Sequence, residues 1–341
     1  VKTFIDEYLK TTPSSSCHVL IYHGFIKKSE AIYAKGKILY MDSFKYLKYY
    51  RYALIKHVKI FYLLMKKYLR NAICYIIAVP TPIHKNRKPN LNMIIEASKL
   101  VGKFLNKGDY VIYESTIFPG LTEEICVPIL QKYSNLKCKQ NFKIGYSPER
   151  INTEDKYHKL NNITKVVSSI DKNSLNEIYK LYSLIVKKVY KAKSIKIAEA
   201  SKIVENTQRD VNIAFINEIT ILLNKMGIAS RDVLKAAKTK WNFINFKPGL
   251  VGGHCIEIDP YYLIDKAKGY NFSPKLIKTS RNINENMASY IADKTCSILN
   301  KQGKHIKECK ILILGHCFKE NVNDFRNSKV ENLAKTLMQS F

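Results

Sequence analysis

The chain has 341 residues, of which 46% are hydrophobic, with 57 Lys and Arg against 28 Asp and Glu. This length and apolar content suffice for about two folded domains and exclude disorder as the overall class. No run approaches the roughly 18 apolar residues that span a bilayer, and VKTFIDEYLK carries acids where a secretory signal has an apolar stretch. We therefore expect a soluble, cytoplasmic protein with no membrane partner.

The net charge of +29 comes mainly from lysine. Only eight of the basic residues are Arg, the side chain that reads guanine edges and grips phosphates in a fork. The lysines are scattered along the whole chain, whereas a nucleic-acid-binding surface is marked by clustered charge. We therefore expect no nucleic acid partner.

The eight cysteines contain no C-x-x-C pair and no Cys/His group at zinc-finger spacing. Irregular spacing in a chain without a secretory signal favours reduced thiols. The sequence thus predicts no metal site, and it leaves a cysteine available as a nucleophile.

The first 70 residues hold ten of the 23 tyrosines and show no clean hydrophobic period. The pattern changes at Ile73, where ICYIIAV forms an apolar run of strand length that ends in Pro-Thr-Pro at 80–82. Alternating elements follow: a helix over 90–106, a strand over 109–116, a helix over 122–133, strands over 143–146 and 164–168, a helix over 172–187 and a strand over 189–192. This alternation predicts an α/β domain with a mostly parallel sheet.

The second half of the chain is predominantly helical. Residues 194–226 contain no Gly or Pro and repeat apolar residues at near-helical spacing, which predicts one long helix ending at Gly227. Shorter helices are predicted over 230–239 and 275–301. The apolar segment 310–314 predicts a strand that opens another α/β domain, with only about thirty residues left to continue it.

The segment from Gly252 to Pro260 combines two glycines, a cysteine and an acid. The glycines allow a backbone to approach a ligand closely, and Asp259 follows Cys255 by four residues, which is one helical turn. A thiolate at Cys255 can attack a carbonyl carbon. From spacing alone, however, a tight turn around a packed cysteine is the commoner arrangement.

Two further segments place polar side chains where they could bind a ligand. Lys202 and Asn206 lie four residues apart on the long helix, so that an ammonium and an amide share one face, although the same pattern fits a solvated surface. Glu149, in Ser-Pro-Glu-Arg, follows a predicted strand. That end of a strand is where α/β proteins bind ligands, but the residue also fits a simple loop ion pair.

Six segments resemble, in order, motifs of the UDP-glucose/GDP-mannose dehydrogenase family of nucleotide-sugar 6-dehydrogenases. They are IIAVPTPI (76–83), YESTIFPG (113–120), GYSPERIN (145–152), EASKIVENTQRDVNIAFINE (199–218), KPGLVGGHCIEIDPYYL (247–263) and LGHCFKENVNDFRNSKV (314–330). The resemblance extends from about residue 73 to the end. It is strongest to the UDP-N-acetylhexosamine branch that supplies capsular and Vi-type polysaccharides.

The resemblance implies three domains. Residues 1–193 would form a Rossmann-like NAD-binding domain with a parallel sheet, and residues 194–302 a central all-α domain containing the long helix. Residues 303–341 would begin a second Rossmann-like domain, which binds the UDP-sugar and is incomplete here. A homodimer through the long helix is also implied.

The implied activity is an NAD-dependent oxidation of the sugar's C6 alcohol to a carboxylate in two hydride-transfer steps. By family analogy, Cys255 traps the intermediate aldehyde as a thiohemiacetal, which the second oxidation converts to a thioester. Lys202 and Asn206 would stabilise negative charge on the C6 oxygen, a role suited to a fixed cation and amide.

The same analogy assigns the hydrolysis of the thioester. Asp259 and Thr116 would hold a water molecule, and Glu149 would act as the base. The residues implied in binding the sugar nucleotide are Glu149, Arg150, Ile151, Asn152, Lys202, Asn206, Phe246, Lys247, Pro248, Gly249, Gly252 and Lys319. Those implied in binding NAD are Val79, Pro80, Thr81, Pro82, Ser115, Thr116, Cys255 and Arg326.

The sequence departs from the family pattern in two places. Family members open with G-x-G-x-x-G, whose backbone N–H groups approach the cofactor pyrophosphate, but this chain has no G-x-G and only Gly24 and Gly36 in its first 70 residues. Glu257 stands where relatives commonly carry Gly, and its carboxylate would oppose a thiolate. The alternatives are therefore a truncated or frame-shifted inactive relative, or a non-enzymatic interaction subunit.

Overall fold

A computed structural model describes residues 19–23, 38–41, 69–70, 72–151, 157–158, 162–320 and 324–340, with backbone alone for the first two segments. The chain divides into two compact units, Val1–Lys202 and Ile203–Phe341. The division falls inside one long helix, Ile195–Lys225. None of the described helices combines the length and apolar character needed to cross a bilayer.

The first unit is built on a seven-stranded sheet. Its strands are β1 (Val19–His23), β2 (Ile38–Met41), β3 (Cys74–Ala78), β4 (Tyr110–Tyr113), β5 (Lys143–Tyr146), β6 (Thr164–Ser169) and β7 (Lys188–Lys191). They lie in the order β2-β1-β3-β4-β5-β6-β7. All neighbours are parallel except β5 and β6, which confirms the predicted mostly parallel sheet.

The strand order reverses beside β1, because β2 lies on one side of it and β3 on the other. In a doubly wound sheet, the loops at the carboxyl ends of two such strands leave the sheet in opposite directions and open a crevice for ligands. The end of β1 at His23 and the end of β3 at Ala78 are paired across this point. A ligand site is therefore expected at this edge of the sheet.

The helices are numbered here over the described residues. The first unit has α1 (Asn92–Gly102), a π-helical turn (Thr122–Cys126) leading directly into α2 (Val127–Ser134), α3 (Lys172–Ser183) and the start of α4 (Ile195–Lys225). The second unit continues α4 and adds α5 (Ser230–Ala237), α6 (Asp259–Lys268), α7 (Lys275–Lys301), a 3-10 turn (Ile306–Glu308) and α8 (Val330–Ser340).

Both faces of the central strands are buried, because successive side chains of a strand point to opposite sides. Tyr75 and Ile77 of β3 belong to a core that includes Ile94 of α1 and Leu130 of α2. Their neighbours Cys74 and Ile76 belong to a second core, to which α3 contributes Ile178 and Tyr182. Helices thus cover both sides of the sheet, which explains why β3 reads as a continuous apolar run.

The second unit has a smaller core between α7 and α8. Ala288 and Ala292 of α7 pack with Leu333 and Leu337 of α8. Each pair is spaced by four residues, so each helix presents one apolar stripe to the other.

Most elements predicted from residue 73 onward are confirmed, with ends that differ by a few residues. The sequence analysis missed β1, β2 and α6. The strand predicted over 310–314 is wrong: this segment is not a strand, and Leu312 and Leu314 are exposed. A strand needs a hydrogen-bonded neighbour, and the described residues of the second unit offer none.

A buried carboxylate joins the start of α4 to the turn before α2. Glu199 is fully buried, and its two oxygens accept backbone N–H bonds from Gly120 and Thr122. These bonds satisfy donors at a helix start that would otherwise be unpaired. Burial nevertheless raises the pKa of Glu199 from 4.5 to about 7.

This raised pKa predicts a pH-dependent stability. Between pH 4.5 and 7 the folded chain holds a proton on Glu199 that the unfolded chain has released, so the free energy of unfolding falls as the pH rises. We expect Glu199→Gln, which cannot titrate, to remove about 1–3 kcal/mol of that fall. Urea unfolding at a series of pH values measures it.

The matched control is Glu96→Gln, since Glu96 is mostly exposed and pairs with Lys99 one turn away. This control should leave the pH dependence as it is in the wild type. Equal pH slopes for Glu199→Gln and the wild type would contradict the assignment.

Candidate active site

The loops after β3 and β4 are tied together at the carboxyl edge of the sheet. The Ser115 hydroxyl donates to the carbonyl of Val79 at 2.7 Å, and the Thr81 hydroxyl donates to the carbonyl of Thr116 at 2.5 Å. Tyr146, the last residue of β5, donates its hydroxyl to the Ser115 carbonyl at 3.2 Å. The predicted NAD-binding residues 79–82, 115 and 116 are therefore held together, close to the point where the strand order reverses.

A dinucleotide would bind at such a place in a doubly wound sheet. The loop from Val79 to Pro82 leaves β3 at the point where the strand order reverses, and bonded side chains hold it against the neighbouring loop. Residues 24–37, where the family pattern places the G-x-G-x-x-G segment, lie outside the described residues.

Glu149 lies just beyond β5, at the same edge of the sheet. Its Oε1 accepts the backbone N–H of Ile151 at 2.6 Å, and its Oε2 lies 3.7 Å from Nζ of Lys165. Arg150 turns away from it and donates to the carbonyl of Thr164 at 2.8 Å. Burial alone would raise the pKa of Glu149, but Lys165, the Ile151 N–H and Lys202 together lower it below its usual value. Glu149 is therefore ionised at neutral pH.

Lys165 is a buried neighbour of Glu149 that the sequence analysis missed. It lies in β6 with 1% of its side chain exposed, and its ammonium is 3.1 Å from Oε1 of Glu114. A lysine inside the otherwise apolar or small-residue strand TKVVSS was the available signal, because a buried lysine is rare unless it is paired.

Cys255 is exposed, so the interpretation as a packed cysteine is wrong. Its carbonyl accepts the N–H of Ile258 at 3.1 Å and the N–H of Asp259 at 2.9 Å. Cys255 therefore stands one turn before the start of α6, as the spacing predicted. Asp259 is buried and accepts a hydrogen bond from Nδ2 of Asn206 at 2.5 Å. The second unit thus brings together Cys255, Asp259 and Asn206.

The two glycines before Cys255 are required by close neighbours. A Cβ on Gly252 would lie 2.5 Å from the carbonyl oxygen of Asn327, and one on Gly253 would lie 2.7 Å from the ring of Phe318. Gly253 also has φ +92°, a conformation that favours glycine. Its backbone exchanges two hydrogen bonds with Asn327, at 3.3 and 3.1 Å. The loop carrying Cys255 is thereby fixed.

The predicted sugar-binding loop, 246–252, is held by a buried amide. Asn217 of α4 donates to the Gly249 carbonyl at 3.0 Å and accepts the Gly249 N–H at 2.8 Å. Its Nδ2 also lies 2.9 Å from Oδ1 of Asn284 on α7. The sequence analysis missed Asn217, although an amide at a core-facing position of an amphipathic helix indicates a hydrogen-bonding role.

Glu257 does not stand as an isolated charge. Its Oε1 is 2.6 Å from Nζ of Lys329, which is also 3.1 Å from Glu285. Arg281 pairs with Glu285 and, at 2.7 Å, with Asp210. The carboxylate that departs from the family pattern is therefore part of a network of alternating charges joining α4, α7 and the start of α8.

The remaining predicted site residues are placed as follows. Lys202 and Asn206 are buried and stand one turn apart on α4. Arg326 bonds Asp324 through its Nε at 2.8 Å, and this contact lowers the pKa of Asp324 to about 2. Lys319 is half-buried, and Asn152 lies outside the described residues. Among the described residues no cluster of three metal-binding side chains occurs.

Comparison with known proteins finds the family of this chain. Residues 56–186 match the NAD binding domain of the UDP-glucose/GDP-mannose dehydrogenase family, and residues 196–286 match its central domain. A solved UDP-D-ManNAc dehydrogenase from Pyrococcus horikoshii superposes with a TM-score of 0.77 at 29% identity, covering 89% of this chain and 67% of that one.

Relatives found by sequence have higher identity to this chain than that solved structure has. Protein CapL of Staphylococcus aureus is 50% identical over 84% of this chain and 68% of its own length. UDP-N-acetyl-D-glucosamine 6-dehydrogenases of Salmonella typhi and Pseudomonas aeruginosa are 48% and 47% identical over 77% and 80% of this chain. The chain spans 62% and 64% of those two relatives. It carries the family's NAD binding domain and belongs to the UDP-glucose/GDP-mannose dehydrogenase family.

Proposed function

We propose that the chain oxidises the C6 alcohol of a UDP-N-acetylhexosamine to the carboxylate, for synthesis of a capsular or related polysaccharide in the cytoplasm. The observation that carries this proposal is the exposed Cys255 one helical turn before Asp259, which is buried and bonded to Asn206. The names of the Salmonella and Pseudomonas relatives support the substrate class. Bound NAD supplies the hydride acceptor for both oxidations.

The first oxidation yields an aldehyde, with loss of the alcohol proton and the C6 hydride. The Cys255 thiolate adds to the aldehyde carbon and forms a thiohemiacetal as its alkoxide, and this alkoxide re-forms the C=O bond as the second hydride leaves, which gives a thioester. Lys202 and Asn206 hold the C6 oxygen through these steps, because an ammonium and an amide both stabilise developing negative charge. Their i, i+4 spacing on α4 allows both to serve one oxygen.

Hydrolysis releases the product. Asp259 and Thr116 hold the attacking water, Glu149 takes its proton, and the thiolate of Cys255 leaves as the carbon–sulfur bond breaks. The lowered pKa of Glu149 supports this role, since an ionised carboxylate can accept the proton at neutral pH. The balance is one alcohol, one water and two NAD giving one carboxylic acid and two NADH with two protons.

Ligand binding completes the proposal. The loop 246–252, Arg150, Ile151, Asn152 and Lys319 contact the sugar nucleotide, whereas residues 79–82, Ser115, Thr116 and Arg326 contact NAD. In this scheme residues 1–193 are the NAD-binding domain, 194–302 the central domain and 303–341 part of the UDP-sugar-binding domain. The inactive or non-enzymatic alternatives lose support, because β1 pairs with both β2 and β3 within the sheet despite the missing G-x-G.

A homodimer is part of the same proposal. Val204, Phe215 and Leu222 of α4 are each more than half exposed. Their separations of 11 and 7 residues are close to three and two helical turns, so they lie on one stripe. An apolar stripe of this kind commonly marks a surface that another chain covers. We assign it to α4 of a second copy.

We expect Cys255→Ser to reduce acid formation from UDP-N-acetylglucosamine by at least about 1,000-fold, because the serine hydroxyl is a far poorer nucleophile at neutral pH. NADH absorbance and chromatography of the product measure it, with two NADH per sugar in the wild type. Cys309→Ser is the matched control and should keep full activity. Normal acid formation by Cys255→Ser would exclude the thioester route.

We expect Phe215→Glu to convert the dimer to a monomer, because it would place two carboxylates in an apolar contact. Sedimentation velocity at micromolar concentration should give twice the chain mass for the wild type and the single chain mass for the variant. Ile298→Glu alters an exposed apolar residue of α7 and should remain dimeric. A monomeric wild type would refute this part of the proposal.

A further inference from the structure

The buried ammonium of Lys165 is an unusual feature of the first unit. It lies 3.1 Å from Oε1 of Glu114 and 3.7 Å from Oε2 of Glu149, and 5.3 Å from the centre of the Tyr182 ring. An ion this deep is retained only when partners replace its lost hydration. Burial alone would lower the pKa of Lys165, but Glu114 and Glu149 raise it above its usual value, so the ammonium stays charged.

The two carboxylates beside Lys165 differ in exposure and in their other partners. Glu114, at the end of β4, is mostly buried and also accepts a hydrogen bond from the Tyr182 hydroxyl of α3. Glu149 has 41% of its side chain exposed. Glu114 and Tyr182 therefore hold the ammonium on its buried side. Glu149, on the other side, has a carboxylate that solvent and ligands can reach.

The charges around Glu149 come from several elements. Lys165 of β6 and Lys202 of α4 attract its negative form, and the backbone N–H groups of Arg150 and Ile151 stabilise it. Glu114 opposes it as a like charge. Lys165 therefore lies between the buried carboxylate of Glu114 and the exposed carboxylate of Glu149. Its positive charge offsets the repulsion that Glu114 exerts on the ionised form of Glu149.

We propose that Lys165 is a positioning residue that keeps Glu149 ionised and fixed in place, with Glu114 and Tyr182 holding the ammonium. The inference rests on the proposed function, in which Glu149 takes the proton of the hydrolytic water. Lys165 itself touches neither substrate nor water in this scheme. Its positive charge favours the ionised form of Glu149, whereas burial and the charge of Glu114 favour the neutral acid.

The first test is the pH profile of turnover. Lys165→Met keeps the length and bulk of the side chain but leaves Glu149 facing Glu114 without the cation. We expect the acid limb of kcat to move to higher pH by at least about one unit. Lys188→Met, on the exposed strand β7 next to β6, is the matched control and should leave the profile unchanged.

The double variant Lys165→Met/Glu114→Gln separates charge from structure. It removes the cation and the opposing carboxylate together, and so leaves no unpaired charge at the buried end of the cluster. We expect its acid limb to lie between those of the wild type and Lys165→Met. A purely structural role for Lys165 predicts lower rates with no such ordered shift of the pH profile.

The second test does not depend on turnover. In the full chain with ¹³C-labelled glutamate, the Glu149 carboxyl signal is identified by its loss in Glu149→Gln and is then titrated. We expect its midpoint to rise from wild type to the double variant and again to Lys165→Met. If Lys165→Met does not fold, as judged by circular dichroism, the double variant decides alone. A Glu149 midpoint equal to that of the wild type in every folded variant overturns the inference.

The two tests also separate this inference from the proposed function. A wild-type chain that forms no NADH from UDP-N-acetylhexosamines would refute the proposed function, whereas the titration would still report whether Lys165 controls the charge of Glu149. Turnover with unshifted midpoints would keep the function and remove Lys165 from it.

Discussion

The central constraint on the first unit is that both faces of its central strands are buried. Alternate residues of β3 point into two different cores, one shared with α1 and α2 and the other with α3. A polar group on these faces needs a buried partner, as Lys165 has in Glu114, whereas the edge where the strands end is the place at which such a sheet binds ligands. Ser115, Thr116 and Glu149 all follow strands at that edge. The position of the site is thus a consequence of how the core is formed.

Buried charge is compensated in both units, but in different ways. In the first unit a lysine lies between two carboxylates, one of which remains open to solvent. In the second unit Asp210, Arg281, Glu285, Lys329 and Glu257 alternate in sign along a chain of contacts. Each arrangement joins elements far apart in sequence. Losing a member would leave a neighbouring buried charge unpaired, which is why such groups fix geometry more than they add stability.

The sequence was most informative where structure follows from local pattern. The long helix, α7 and β5 could be placed from periodicity and length, and the turn between Cys255 and Asp259 from their spacing. By contrast, β1 and β2 are short, and their strand character depends on pairing with each other and, for β1, with β3, and not on any period of their own. Apolar content alone wrongly indicated a strand at 310–314, because a strand also needs a partner.

The site residues could be predicted from the sequence only where they belong to a recognisable motif. Motif resemblance pointed to Cys255, Asp259, Asn206 and Glu149, and the contacts of Asn206 with Asp259 agree with that grouping. Lys165 lies outside the six matched motifs, and Asn217 lies in one of them without an assigned role, because the contacts of both depend on what the fold places around them. Similarly, the sequence alone suggests that the charge of Glu257 opposes a thiolate at Cys255. It does not show that Lys329, 72 residues later, pairs with that carboxylate.

The pair of glycines before Cys255 has a consequence for the order of assembly. Gly253 is bonded to Asn327, which lies 74 residues later, and both glycines leave room for that segment and for Phe318. A chain made from its N-terminus presents the cysteine well before these neighbours exist. The loop that carries Cys255 can therefore reach this arrangement only after residue 327 has been made, which is also after every described strand of the first unit.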